Sequence, residues 1–459
     1  MKKAPGSFRD PNGYVYLDGD VILRSVNECY RSHWEKVEPL LQTTVDEGLV
    51  VPFTEAVPME GSWKTLHVHK LPFISYPYEW SFSQRKAAAL LTLKLHRRAL
   101  STGLVLKDAS AYNIQFIGSK PIFIDHLSFE TLKPGQPWQA YKQFCSHFLA
   151  PLALECLTDL ECGIISRLWI DGIPLPVAIK MLPFAARFRF GLFLHLYLHA
   201  KSQDKYADAG RHADKAKQVK LSVTSLDNIA ASLERTIASL RLPHVKSEWG
   251  DYYEDTNYTE AAVQNKFSLV KEFVQESAKR TLALDMGANT GKFSKLLGEQ
   301  YEYVLAADID PLAVDRHYNV LFKQKSTHIL PLVINAANPS PALGVNCSER
   351  QSFSERASVD CITALALVHH LTITAGIPIP EQAKFFSSLL NEDGILILEF
   401  VPKSDSQVKR LLAFREDVFL DYTLNDYLRT FEGFECLRNE PITGSERSML
   451  LLKKTKIAS

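Results

Sequence analysis

The chain lacks paired cysteines: its seven, at 29, 145, 156, 162, 347, 361 and 436, are odd in number and contain no Cys-x-x-Cys. That spacing excludes a disulfide framework or a zinc site and predicts reduced, buried thiols in a cytoplasmic protein. It also lacks net charge, with 52 Lys+Arg against 52 Asp+Glu, so no nucleic acid is expected as a general partner. Met1-Lys-Lys-Ala-Pro-Gly is followed by polar residues and no apolar run, so no signal peptide is predicted. The most hydrophobic stretch, residues 190–200, is too short to span a bilayer and follows Arg187 and Arg189; it predicts a buried helix, and no membrane span. There is no internal repeat and no long low-complexity segment.

What remains is the composition of a soluble globular protein, 46% hydrophobic and 23% charged. At 459 residues it exceeds what one core usually serves, and two domains are expected, 1–242 and 243–459. Residues 13–26 read as two strands joined at Asp18-Gly19-Asp20, followed by a helix over 27–38 that Pro39 should stop. Short strands near 50–53 and 65–74 lead to a helix over 82–100, giving a small mixed sheet that runs into helices. Residues 141–240 are mostly helical in pattern, and the polar stretch 201–220 reads as an exposed loop or solvated helix face.

From residue 281 strand patterns (281–286, 303–308, 328–334, 359–365 and 395–401) alternate with helical ones (291–300, 311–323 and 380–390). This alternation predicts an α/β fold with a doubly wound, mainly parallel, Rossmann-like sheet. Two final strands, 434–438 and 448–453, are placed as an antiparallel hairpin at its edge.

The strongest local signal is Leu282-Ala-Leu-Asp285-Met-Gly287-Ala-Asn289-Thr-Gly291-Lys, a buried strand passing through a glycine turn into a helix. Such a turn lets backbone approach a ligand at the carboxyl end of a strand. The next strand ends in Asp308, whose carboxylate can accept both hydroxyls of an adenosyl ribose. The dinucleotide fingerprint needs Gly-x-Gly-x-x-Gly, and the Walker loop needs four residues between its glycines with Ser or Thr after Lys. Here three residues separate Gly287 from Gly291, and Phe293 follows Lys292. Asp285 before the first glycine suits an ammonium-bearing ligand.

Asp285-x-Gly287-x-x-x-Gly291 with Asp308 resembles the cofactor site of class I S-adenosylmethionine-dependent methyltransferases. The resemblance implies that Asp285, Gly287, Asn289, Gly291 and Asp308 hold S-adenosyl-L-methionine. Asn335 would be an adenine contact where many relatives have an acid. It also implies that His369 and His370, after a fourth strand ending near Leu365, lie beside the methyl-transfer centre, one of them accepting a proton. More narrowly, the chain resembles bacterial nodulation-protein-type methyltransferases, which carry an extra N-terminal region. Aromatic residues at 249, 252, 253 and 258, ahead of the first strand, read as a lid or as packing between domains.

In the N-terminal half, Lys107-Asp108-Ala-Ser-Ala-Tyr-Asn113, then Pro121-Ile-Phe-Ile-Asp125, has the spacing of a phosphotransferase loop. It resembles the aminoglycoside-phosphotransferase-like branch of the protein-kinase fold, implying an α+β kinase-like domain that takes ATP. Asp108 would be its base, with Asn113 and Asp125 as magnesium ligands. No glycine-rich loop is present, and Arg24 stands in for the usual Lys, with Glu35 or Glu38 as its expected partner.

These readings give a methyltransferase acting on an oxygen or nitrogen of a small-molecule or saccharide acceptor. The alternatives are a bifunctional kinase/methyltransferase and a non-enzymatic binding scaffold.

Overall fold

The structure is a computed structural model that describes residues 1–158, 160–198, 221–243, 259–414 and 416–455. The stretch 201–220 and the aromatic segment at 249–258 lie outside the described residues, so those two expectations are not addressed. The chain forms two compact units. One is Met1–Val245 with Leu343–Arg350, and the other is Lys246–Ala342 with Gln351–Ser459.

In the first unit, β1 (Lys2–Lys3), β2 (Val15–Asp18), β3 (Val21–Val26), β4 (Phe53–Ala56) and β5 (Lys64–Val68) form one sheet in the order β1-β2-β3-β5-β4. Every pairing in it is antiparallel, so the mixed sheet expected from sequence is corrected. Gly19, with φ 58°, occupies the first position of the two-residue loop between β2 and β3, a conformation glycine adopts at little cost.

Helix α1 (Arg31–Asp46) runs through Pro39 rather than stopping there. Pro39 and Glu35, whose carbonyl loses its helical partner, both face solvent, where water can replace the missing bond. The opposite face buries Trp34, Val37, Leu40, Leu41 and Thr44, which holds the helix together past the break. Helix α2 (Phe82–Ser101) begins at a reciprocal Ser81–Gln84 capping box.

After α2 come β6 (Leu104–Leu106), β7 (Ile114–Ile117), β8 (Lys120–Phe123) and β9 (Phe129–Thr131), paired as β6 with β9 and β7 with β8. The predicted buried helix at 190–200 is instead a short α turn, Phe190–Leu192, continuing as a π-helix, Phe193–Leu198. It buries Leu192, Leu196 and Tyr197 but exposes Phe190 and Phe193, so it is only half buried. Among the described residues no helix is long and apolar enough to cross a membrane. Cys145, Cys156 and Cys361 are buried, whereas Cys29, Cys347 and Cys436 are exposed, against the expectation of uniformly buried thiols.

The second unit holds a seven-stranded sheet in the order β12-β11-β10-β13-β14-β16-β15. Its members are β10 (Leu282–Met286), β11 (Tyr303–Asp308), β12 (Ile329–Val333), β13 (Val359–Ala364), β14 (Leu390–Phe400), β15 (Phe434–Pro441) and β16 (Ser448–Lys454). The strands from β10 to β14 run parallel; β16 pairs antiparallel with β14 and with β15, so the last hairpin forms the antiparallel edge of the sheet, as expected from sequence.

Helices α3 (Glu260–Phe273) and α4 (Lys292–Gly298) cover one face, where Leu269, Val270, Phe273 and Leu297 pack with Ala283, Val304, Cys361, Ile395 and Leu451. Further on, α5 (Pro311–Gln324) follows β11 and α6 (Ile379–Leu389) precedes β14. From β10 the chain moves outward to β11 and β12, then crosses back to β13. The order therefore reverses between β10 and β13, which is where an open α/β sheet leaves a crevice at its carboxyl ends.

Candidate cofactor site

The turn leaving β10 opens at that crevice. Gly287 (φ 83°), Asn289 (φ 49°) and Gly291 (φ 85°) all take positive φ, which keeps the loop tight before α4 starts. The amides of Gly287 and Ala288 both donate to the Ala307 carbonyl, at 2.8 and 3.0 Å, tying the turn to β11. A Cβ on Gly287 would meet nothing nearer than Leu367 at 3.8 Å, so this position faces open space beside the segment after β13. A Cβ on Gly291 would strike the His317 ring at 2.1 Å. The two glycines therefore serve different ends, one leaving room at the crevice and one admitting α5.

Asp285 is buried and organises the turn from beneath. Its carboxylate accepts the Ser294 hydroxyl at 2.6 Å and the Thr363 hydroxyl at 2.7 Å, joining β10 to α4 and β13. Burial raises its carboxyl above the usual range, and those two bonds pull the other way.

Asp308, at the end of β11, accepts the Asn289 amide at 2.7 Å and the Asp310 amide at 2.9 Å. Burial pushes its carboxyl up to about 6. The neighbouring Asp310 caps α5, accepting the amides of Leu312 and Ala313, so capping and strand-end acid are separate residues here. Asn335 follows β12 and turns its side-chain oxygen onto the Ala337 amide at 2.8 Å, stopping its own strand.

His369 and His370 lie five and six residues beyond the end of β13 rather than at its tip, where a π-helix (His370–Thr374) begins. Their ring centroids are 4.1 Å apart. His369 is 1% exposed, and its Nδ1 is buried with no hydrogen-bond partner in the structure. Burial holds His369 well below the ordinary histidine range and His370 down to about 4, so both are neutral near pH 7.

A buried ionic group accompanies these histidines and was not anticipated from the sequence. Glu399, near the end of β14 and fully buried, pairs with Lys266 of α3 at 2.6 Å and Arg447 at 3.2 Å. Arg447 also binds Asp405 at 2.8 Å. The charges of Arg447 and Lys266 reach His369 and help lower it after burial. The available sequence signal was the acid closing the apolar run Ile395-Leu-Ile-Leu-Glu399.

In the first unit, the β6–β7 and β8–β9 connections bring Asp108, Asn113 and Asp125 together. Asn113 donates through its amide nitrogen to Ser128 Oγ at 3.1 Å, and the Ser128 hydroxyl in turn donates to Asp125. Asp108 accepts the Ser110 amide at 3.0 Å and Gln143 Nε2 at 2.7 Å. Burial raises Asp108. Burial also pushes Asp125 upward, but Arg24 and Ser128 outweigh it and its net shift is downward. Arg24 does not engage the acids of α1 as expected from sequence. It pairs with Asp10 and Asp125, while Glu35 and Glu38 pair with Arg31 and Lys64. Arg24 lies on β3 and turns toward the loop after β8, which α1 does not occupy.

The second unit is thus a Rossmann-like α/β fold with a cofactor-type crevice at its switch point. Solved structures similar to it include methyltransferases. The N-methyltransferase NodS from Bradyrhizobium japonicum WM9 is 12% identical with a TM-score of 0.33, covering 43% of this chain and 98% of that one. Magnesium protoporphyrin IX methyltransferase from Synechocystis PCC 6803, with bound S-adenosylmethionine, is 17% identical with a TM-score of 0.29, covering 45% and 89%. Likenesses this distant carry no assignment of activity. No family model matches the sequence. Over its whole length, however, the chain is 36% identical to the nodulation protein NoeA of Rhizobium meliloti (strain 1021), across 464 residues covering 99% of this chain and 96% of that protein. The chain belongs to the NoeA family of nodulation proteins.

Proposed function

We propose that the second unit is a methyltransferase that binds S-adenosyl-L-methionine between β10 and β13 and passes its methyl group to an oxygen or nitrogen of a small-molecule or saccharide acceptor. The observation that carries this is the placing of two buried acids, Asp285 and Asp308, at the carboxyl ends of adjacent strands, with an open glycine turn between them. The donor set fits the cofactor. Asp308 presents a carboxylate to the ribose hydroxyls, with the Asn289 amide fixing its angle. Gly287 lets the backbone approach, Asp285 and Gly291 hold the turn's shape, and Asn335 faces the adenine side.

When bound, the cofactor supplies a methyl group on a sulfonium, whose transfer depends on alignment and exclusion of water more than on strong acid-base groups. In this reading His369 and His370 lie on the acceptor side, one of them taking the proton that an attacking hydroxyl or amine sheds. The NoeA relationship supports a role in nodulation. The domains proposed are 1–242 and 243–459, in a cytoplasmic protein. The gathering of Asp108, Asn113 and Asp125 supports a kinase-like fold for the first.

Calorimetric titration of Gly287→Val with S-adenosylmethionine tests the site. A folded variant, checked by circular dichroism, should bind no cofactor, since the branched side chain enters the crevice. Wild-type affinity would place the cofactor elsewhere.

A further inference from the structure

Asp108, Asn113 and Asp125 have the residue types of a metal–phosphate site, yet Asp125, its carboxylate ligand, is already engaged on both oxygens inside the first unit. A single nitrogen, Arg24 Nη2, lies 2.8 Å from Asp125 Oδ1 and 2.8 Å from Asp10 Oδ2. The Arg24 side chain is 9% exposed, so the two carboxylates face one another across a cation shielded from water. Asp125 Oδ1 also accepts the Leu127 amide at 3.3 Å, and its other oxygen takes the Ser128 hydroxyl. Asn113 turns its amide nitrogen onto Ser128 Oγ and the Asp108 carbonyl, at 3.1 and 3.4 Å. Asp108 Oδ1 is bound by Ser110 and Gln143.

Magnesium demands close, near-octahedral oxygen ligands. Here its carboxylate ligand is held by a guanidinium, which stays protonated in proteins and would repel a divalent ion at the same oxygen. Magnesium, and ATP bridged by it, therefore do not fit this site.

We propose that Arg24 is the resident counter-ion of the first unit: it occupies the place a divalent cation would need, locks Asp10 to Asp125, and leaves the unit without a magnesium-dependent nucleotide site. The lock ties β3 to the loop after β8, so the phosphotransferase-like trio serves the architecture of the unit. This inference does not depend on the methyltransferase reading of the second unit.

Manganese is a suitable probe, followed by the electron paramagnetic resonance of free and bound ion on the full chain. Wild type and Asp125→Asn should give the same signal, with no saturable site that Asp125 supports, in the presence or absence of ATP. Arg24→Met leaves Asp10 and Asp125 facing each other without a cation. It should melt lower and gain a manganese site that Arg24→Met/Asp125→Asn loses again. A saturable wild-type site abolished by Asp125→Asn would overturn the proposal, and so would a folded Arg24→Met that gains none. Should Arg24→Met fail to fold, the wild-type and Asp125→Asn pair still decides.

Discussion

Asp308 Oδ2 accepts the Asn289 amide at 2.7 Å, so the acid that ends the second strand of the crevice also fixes the turn that leaves the first. Because burial raises that acid to about 6, its charge titrates just below neutral pH. The folded carboxyl binds its proton more readily than the unfolded one. Its contribution to stability therefore rises as pH falls through about 6 and is complete only below the ordinary carboxyl value of 3.8. Cofactor affinity should move the opposite way, weakening over the same window as the charged ribose acceptor is lost. Calorimetry at several pH values checks this, and pH-independent affinity between 5 and 7 would contradict it.

Gly291 and Gly287 should respond differently to alanine. Gly291→Ala drives a Cβ into the buried His317 ring and strains a positive φ, so a loss of about 2–4 kcal/mol in urea denaturation is expected. Gly287→Ala meets no such obstacle, and only the backbone strain, about 1–2 kcal/mol, should remain. Equal losses would show that the two positions are not divided between packing and ligand space.

Glu399→Gln removes the buried acid that pairs with Lys266 at 2.6 Å and with Arg447 at 3.2 Å. Breaking a buried ion pair by neutralising one partner costs about 3–5 kcal/mol, which should appear as a much lower denaturation midpoint. A loss under about 1 kcal/mol would mean that water reaches the group and the pairing is weak.

The crevice was legible because its signal is local. Asp285, Gly287 and Gly291 fall within one turn, and Asp308 ends the next apolar run, so periodicity and strand-end position sufficed. The Glu399 group was not, since Lys266, Glu399 and Arg447 come from three distant segments, brought together by the pairing of β14 with β16 and by α3 packing on the sheet. Arg24 was assigned to the acids nearest in sequence pattern, whereas its real partners lie before it at Asp10 and far after it at Asp125. Pro39 looked like a stop because local propensity cannot see the core that α1 buries beyond it.

The central claim is that Asp308 receives the ribose of S-adenosylmethionine, and the direct measurement is calorimetric titration of wild type and Asp308→Ala with that cofactor. Hydrogen bonds to a charged acceptor are each worth about 1.5–3 kcal/mol. Wild type should bind one cofactor per chain, and the folded variant should lose at least about tenfold in affinity. Unchanged affinity in a folded Asp308→Ala, or no binding by wild type, would contradict the account.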